Sequence, residues 1–212
     1  MKVLLLGASG RIGTRTAEEL LQRDHEVTGV SRSGTVDGVD DTNLTEVAGD
    51  ATDSDTVAEL ASGHDAVISA LGPSGEQEPS ILAKMINAVV EGMRETDVDR
   101  LIWTGGAGGL YIDDETLLID SEAFPEEARP VAEAAIEAYA EIEDVEDIRW
   151  SYMGPAAFIE PGERTGSYRT ADRQLIADED GNSYISMEDF AIALVDELEE
   201  PNAIHTYLGV GH

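Results

Sequence analysis

The chain has 212 residues, no cysteine, and 45 acidic against 13 basic side chains, a formal charge of −32. This excludes disulfides, a thiolate nucleophile and a zinc–thiolate site, and a surface so negative is unsuited to nucleic acid or an anionic membrane. The length suggests a single domain, and with 42% hydrophobic but only 5% aromatic residues its core must rest on Val, Leu, Ile and Ala.

The first element is an apolar run of strand length, Lys2 to Leu6, which ends at Gly7. Gly10 and Gly13 follow, a G-x-x-G-x-x-G spacing over Gly7-Ala8-Ser9-Gly10-Arg11-Ile12-Gly13, and Ile12 to Arg23 has helical periodicity. A strand, a tight turn and a helix start are therefore expected. Unpaired backbone N–H groups at such a helix start carry partial positive charge and favour a pyrophosphate. Gly7 permits the turn, Gly10 admits phosphates close to the backbone, and Gly13 lets the helix pack on the strand.

Further strands are expected over His25 to Arg32 and Leu44 to Ala48, and a helix capped by Asp53 over Thr56 to Ala61. A buried strand, Asp65 to Leu71, stops at Gly72-Pro73, and the loop continues to Pro79. Ser80 to Glu95 is a long amphipathic helix. Arg100 to Thr104 is a strand that runs into Gly105-Gly106-Ala107-Gly108-Gly109. Tyr111 to Phe124 is irregular and reads as a flap, Pro125 to Asp144 is mostly helical, and Ile148 to Met153 is a strand. This βα alternation predicts a Rossmann-type, doubly wound parallel sheet with helices on both faces. Residues 1–155 would form the cofactor-binding core. Residues 156–212 read as a small C-terminal elaboration on the substrate side: short strands or a hairpin within 166–186, a helix from Ser186 to Glu200, and a strand from Ile204 to Val210.

The end of the second strand selects the cofactor. An acid there would bind a ribose 2′-OH; a base would accept a 2′-phosphate. The sequence offers Ser31-Arg32-Ser33, with Arg11 as a second guanidinium. NADP(H) is expected over NAD(H). Asp50 and Ala51 fall beside the adenine position, where Asp50 either accepts from the adenine amino group or serves the next helix as a cap. Ala70, Leu71 and Gly72, with Thr104, Gly105 and Gly106, end two strands on the same carboxyl edge. Their small size would leave room for the ribose and nicotinamide. Met153, at the end of the next strand, completes the expected cofactor set with Gly7, Ser9, Gly10, Arg11, Ile12 and Gly13.

The glycine turn, the Ser31-Arg32 strand end and Gly49-Asp50-Ala51-Thr52-Asp53 resemble the atypical short-chain dehydrogenase/reductases. Gly105 to Gly108, Phe124-Pro125-Glu126-Glu127, Ser151 to Phe158 and Gly162-Glu163-Arg164-Thr165-Gly166 resemble its NAD(P)H-binding, NmrA-like and flavin/biliverdin-reductase-like branch. The resemblance implies a Rossmann fold, a bound NAD(P)H and an oxidoreductase. One feature departs from the wider superfamily: its Tyr-x-x-x-Lys pair is impossible here, because the only lysines are Lys2 and Lys84 and Ser80 precedes Lys84 at that spacing. Tyr139 has Glu143 four residues on, which disfavours a phenolate. Thr104, Tyr111 and Tyr152 remain as candidate donors near the nicotinamide, a core or loop role being the commoner one for each, and no catalytic residue is assigned. The expected activity is reduction of a flavin, quinone or related small acceptor. The alternatives are an NmrA-like dinucleotide sensor and, more weakly, a nucleotide-sugar epimerase or dehydratase. The substrate mouth is expected at Gly105 to Tyr111, Met153 to Phe158 and Pro161 to Tyr168.

No metal site is expected, and the protein is read as a monomer or homodimer. The scarcity of lysine beside abundant Asp and Glu resembles the cytosolic proteins of salt-accumulating halophiles. No apolar stretch reaches the ~18 residues of a membrane helix, and Val3 to Leu6 is too short for a signal-peptide core. A cytoplasmic location follows as the expectation.

Overall fold

The computed structural model describes residues 1–73 and 77–212. The expected loop of 72–79 includes 74–76, which lie outside the described residues. The first strand, β1 (Lys2–Leu6), alternates its side chains between the two faces of the sheet. Leu4 and Leu6 enter one apolar cluster, Val3 and Leu5 the other, and all four are fully buried. Such two-sided burial requires helices above and below the sheet. They come in chain order: α1 (Arg11–Gln22), β2 (Glu26–Ser31), β3 (Leu44–Ala48), α2 (Ser54–Ala61), β4 (Ala66–Ser69), α3 (Ile81–Arg94), β5 (Arg100–Thr104), α4 (Arg129–Ala140) and β6 (Arg149–Pro155). The remainder is β7 (Phe158–Glu160), β8 (Arg169–Asp172), β9 (Tyr184–Ser186), α5 (Met187–Glu199) and β10 (Thr206–Gly211).

The main sheet has the order β3-β2-β1-β4-β5-β6-β10-β8. All its pairings are parallel except β10 with β8. Helices α1 and α5 pack together on one face; α2, α3 and α4 follow one another across the other. From β1 the chain works outward to β3, then returns to β4 on the far side of β1. That reversal opens a crevice between the carboxyl ends of β1 and β4, where ligands bind in open α/β sheets.

The C-terminal segment departs from the expected hairpin. Strand β8 pairs antiparallel with β10, whereas β9 pairs parallel with β7, Ile159 opposite Ile185. The Asp180-Gly181-Asn182 turn does form, its backbone held by the Asp178 carboxylate, but it joins loop segments. Helix α5 and strand β10 thus complete the layered sheet, and only β7, β9 and their loops lie outside it.

The segment Pro161 to Tyr168, expected to border the substrate mouth, is a strap tied across α1 and α5. Arg164 makes two bonds to Glu19 of α1, at 2.8 and 2.9 Å. Asp189 of α5, fully buried, accepts from the N–H groups of Thr165 and Gly166 and from the Thr165 hydroxyl. The Tyr168 hydroxyl donates to Asp196. Beneath the strap, a buried ion pair joins β5 to α5. Arg100 donates to Glu197 at 2.8 Å, and Glu197 also accepts from Ser151, Asn202 and Ala203.

Candidate dinucleotide site

The glycine turn is built as its spacing requires. Gly7 has φ +80°, a conformation glycine adopts without strain, and a Cβ there would sit 2.7 Å from the Ala70 carbonyl. A Cβ on Gly13 would lie 2.1 Å from the Gly7 carbonyl, so only glycine lets α1 press against the turn. Gly10 is the N-cap of α1 and brings no capping side chain. The N–H groups of Arg11, Ile12 and Gly13 therefore have no carbonyl ahead of them in the helix. Ser9 sits exposed at the tip of the turn.

Charge separates this helix start from those of α2 and α5, and its place at the reversal of the strand order separates it from the equally acid-free starts of α3 and α4. The α2 start has Asp53 and Asp55, and the α5 start has Ser186, Glu188 and Asp189. The first turn of α1 has no acid and begins with exposed Arg11. A cation at a helix N-terminus opposes the macrodipole. Among the described residues Arg11 forms no ion pair, in a chain where acids outnumber bases more than threefold. An anion in front of the turn would relieve both the dipole and the guanidinium.

On the adenosine side, Ser31 and Arg32 end β2. Ser31 is 5% exposed, and its hydroxyl closes the following turn, donating to the Thr35 carbonyl at 2.9 Å and accepting from the Thr35 N–H at 3.0 Å. It shapes the loop, leaving Arg32 exposed beside it. Asp53 is the cap of α2, bonding the Asp55 N–H and the Thr56 hydroxyl. Asp50 does not cap. Its carboxylate accepts from the Thr52 N–H at 2.9 Å and the Thr52 hydroxyl at 2.8 Å. Those bonds, with the charges of Lys84 and Arg32, hold it below the ordinary Asp value. Ala51 is buried beneath. Lys84, absent from the sequence-derived set, joins this group.

On the other side of the crevice, Ala70 and Leu71 are half-buried and Gly72 faces open space. Thr104 ends β5, opposite Met153 of β6. Its Oγ1 is buried and has no hydrogen-bond partner among the described residues. Met153 is 1% exposed and belongs to the core beside Ala70. The expectation that Gly105 and its neighbours leave room for a ligand is corrected by packing. The space of a Gly105 Cβ is taken by the Tyr152 ring, that of Gly108 by Ala132 and that of Gly109 by Tyr207. The Gly106 carbonyl accepts from the Tyr207 hydroxyl. Gly105 and Gly109 make room for tyrosines.

The two tyrosines among the candidate donors take the core and loop roles weighed for them. Tyr152 is 1% exposed, donates to the Ala135 carbonyl at 2.7 Å, and burial drives its phenol well above 10. Tyr111 lies against the Arg173 guanidinium and in backbone bridges to Leu117 and Gln174. As expected, the Tyr139 phenolate is disfavoured; burial is the main cause, with Glu143 adding to it and Arg173 opposing. A cavity of about 380 Å³ lies elsewhere, between α5 and the β10–β8 edge. Its walls include Asp196, Glu197, Glu199 and Glu200, it shares Met153 with the expected cofactor set and Tyr168 with the expected substrate mouth, and its charge would repel phosphates. Among the described residues no cluster of three His, Asp or Glu is placed to hold a metal ion.

A family model described as NAD(P)H-binding matches residues 7–201, a span running from the glycine turn to the end of α5. The chain belongs to this NAD(P)H-binding family. Three solved structures are similar over its whole length. A candidate exported protein from Burkholderia pseudomallei is 40% identical with a TM-score of 0.91, all of that chain being covered. A candidate epimerase from Bacteroides thetaiotaomicron is 36% identical, TM-score 0.91, with 96% of its chain covered. A candidate NADH-flavin reductase from Streptococcus pneumoniae is 32% identical, TM-score 0.89, with 99% covered. Membership of the family shows an NAD(P)H-binding domain that includes the glycine turn. Among the described residues, no helix is long and apolar enough to cross a membrane.

Proposed function

We propose that the protein is an NADPH-dependent reductase of a small conjugated acceptor such as a flavin or quinone. The observation that carries this reading is the acid-free, side-chain-uncapped start of α1, with Arg11 on it, at the sheet's reversal point. The N–H groups of Arg11, Ile12 and Gly13 would hold the diphosphate, and Arg32 the 2′-phosphate. Thr104 Oγ1 would bond the nicotinamide end and so fill its missing partnership. The reduced nicotinamide supplies a hydride. This chain's residues orient the ring at the ends of β4 and β5 and exclude water with Ala70 and Met153. With Tyr152 locked in the core and Tyr-x-x-x-Lys absent, an acceptor needing little acid assistance fits best. The similarity to a candidate NADH-flavin reductase supports that substrate class. The reaction would take place in the cytoplasm, where the reduced cofactor pool resides, by a monomer or homodimer acting on a small molecule.

Purified protein in molar KCl, titrated with NADPH and NADH and then assayed with a panel of flavins and quinones, tests this. Tighter NADPH binding with turnover of at least one acceptor is expected; no binding of either nucleotide overturns the assignment. The absent Tyr-x-x-x-Lys pair favours one second reading, a dinucleotide sensor. That reading predicts discrimination between NADP⁺ and NADPH without turnover.

A further inference from the structure

Of the four histidines in the chain, His25, His64 and His205 lie just ahead of β2, β4 and β10, at the amino edge of the sheet. His212 lies just after β10, which runs parallel to β6, and so stands on the same carboxyl edge as the glycine turn. It is held by three elements. Its N–H donates to the Tyr184 carbonyl of β9 at 2.9 Å, its carbonyl accepts from Arg169 of β8, and its ring meets the Tyr184 ring edge-on at 5.6 Å between centroids. Its Nε2 lies 2.9 Å from the Asp189 carboxylate of α5. Asp189 is fully buried and also accepts from Thr165 and Gly166 of the strap. Burial pushes that carboxyl up, but these bonds outweigh it and hold it below the ordinary Asp value. Facing an anion, Nε2 carries a proton, which leaves Nδ1 for chemistry. The side chain is 31% exposed, and Nδ1 has no hydrogen-bond partner among the described residues.

The place suits a substrate. His212 stands between two segments expected at the mouth: Phe158 pairs with Tyr184, and Thr165 and Gly166 share Asp189 with the imidazole. Phe158, 69% exposed, offers an aromatic ring one strand over. By alternation, Thr104 after Ile102 on β5 and His212 after Val210 of β10 face the same side of the sheet, that of α1 and α5. Strand β10 stands two places from β5, about 10 Å at the usual strand spacing. A ring-sized acceptor against the nicotinamide end at Thr104 spans that distance together with an imidazole.

We infer that His212, held in place by Asp189, is the catalytic proton donor of the reductase and that the acceptor is a quinone reduced at oxygen. The inference rests on the reductase reading above and chooses between its two acceptors. Hydride transfer from NADPH leaves NADP⁺ and a quinol monoanion. The quinol O–H bond forms as the Nδ1–H bond of the His212 imidazolium breaks, and the neutral imidazole takes its next proton from water. A quinol is phenol-like, and an imidazolium is a stronger acid than a phenol, so this donor suffices without a tyrosine–lysine pair. Hydride transfer to a flavin ends on a ring system that can keep the negative charge, and draws less on the donor.

The test is NADPH turnover with a soluble quinone and with riboflavin by wild type, His212→Gln and His212→Ala in molar KCl, each beside an NADPH titration and a thermal melt. Glutamine can still donate to Asp189 but has no acidic proton to transfer, so it separates the fastening of the strap from the acid. In both variants the quinone-to-riboflavin ratio of kcat should fall by about a hundredfold or more, the usual worth of a positioned acid, with NADPH still bound. Added imidazole should restore quinone turnover to His212→Ala, where it has room, and not to His212→Gln. An unchanged ratio in His212→Gln overturns the inference, as does a loss in His212→Ala that imidazole leaves unrelieved. Wild type that reduces riboflavin but no quinone also overturns it and leaves the reductase reading standing. Wild type that reduces neither acceptor, or binds no nucleotide, removes that reading itself.

Discussion

Replacing Thr104 by Val should make the ligand-free protein more stable and its cofactor complex weaker, two effects of opposite sign from one atom. Thr104 Oγ1 is buried at the end of β5 without a partner among the described residues. An unpaired buried hydroxyl costs about 1–3 kcal/mol, and valine keeps the side-chain shape without it. Recovery of about 1 kcal/mol raises the melting temperature of a chain this size by roughly 2–4 °C. If the hydroxyl bonds the nicotinamide end, its removal forfeits about 0.5–1.5 kcal/mol of binding, a two- to tenfold loss of NADPH affinity. The assay is a thermal melt with and without saturating NADPH, beside a fluorescence titration, both in molar KCl. Thr104→Ser keeps the hydroxyl and should keep the affinity. Ser69 supplies an internal control. It is fully buried at the end of the neighbouring β4, its Oγ also lacks a partner, and it faces the Leu6 and Trp103 side. Ser69→Ala should raise the melting temperature and leave NADPH binding unchanged. A Thr104→Val protein that melts lower than wild type, or binds NADPH as tightly, refutes the reasoning.

Three further outcomes follow from charge. Glu197→Gln removes the charge from the buried pair with Arg100 and should destabilise by roughly 3–5 kcal/mol, because a desolvated guanidinium is left without its counter-charge; denaturant unfolding checks it. For acid unfolding, burial pushes the Glu19 carboxyl up, but its bonds to Arg164 and Arg23 outweigh burial and hold it below its ordinary value of 4.5. Because the folded value lies below the unfolded one, this stability is present above pH 4.5 and is lost as pH falls through the lower folded value. Arg164→Ala should therefore move acid unfolding to higher pH, visible by circular dichroism. Finally, with a net charge of −32, the melting temperature should drop on moving from molar to millimolar KCl, as the screening length grows from about 3 Å to 30 Å or more. An unchanged melt contradicts the salt-adapted reading.

The layered sheet was legible because its central strands β1, β4 and β5 carry near-continuous apolar runs between polar turns. The positions Leu4, Val67 and Leu101 are buried whatever lies beyond them. Gly7 and Gly13 were legible because backbone contact at 2.7 and 2.1 Å leaves glycine as the only choice. The glycines from Gly105 to Gly109 look the same in sequence, yet Gly105 and Gly109 are met by tyrosines of β6 and β10 and Gly106 and Gly108 by alanines of α4. Small size alone does not say what fills the gap. The same limit explains the Pro161 to Tyr168 strap. Its turn-rich sequence reads as a loop, and only Glu19 and Asp189, each far away in the chain, turn it into a fixed element.

The charge of the whole molecule also governs how a dinucleotide reaches this edge. At low ionic strength a body of −32 repels an anionic ligand, and Arg11, Arg32 and Lys84 are too few to reverse the long-range field. At about 1 M salt the field dies within roughly 3 Å, while donors in direct contact with a phosphate keep their bonds. On the proposed reading, recognition in brine would rest on short contacts at the turn and at the 2′-phosphate, with no help from steering. Across salt concentrations at which the protein is demonstrably folded, NADPH affinity should rise or hold steady as KCl increases. This is opposite to the decline expected when a basic site attracts an anion over distance. Titrations at several KCl concentrations, each paired with a melt, measure it. A steep fall in affinity with added salt would mean that long-range attraction by the three cations, not contact, holds the cofactor.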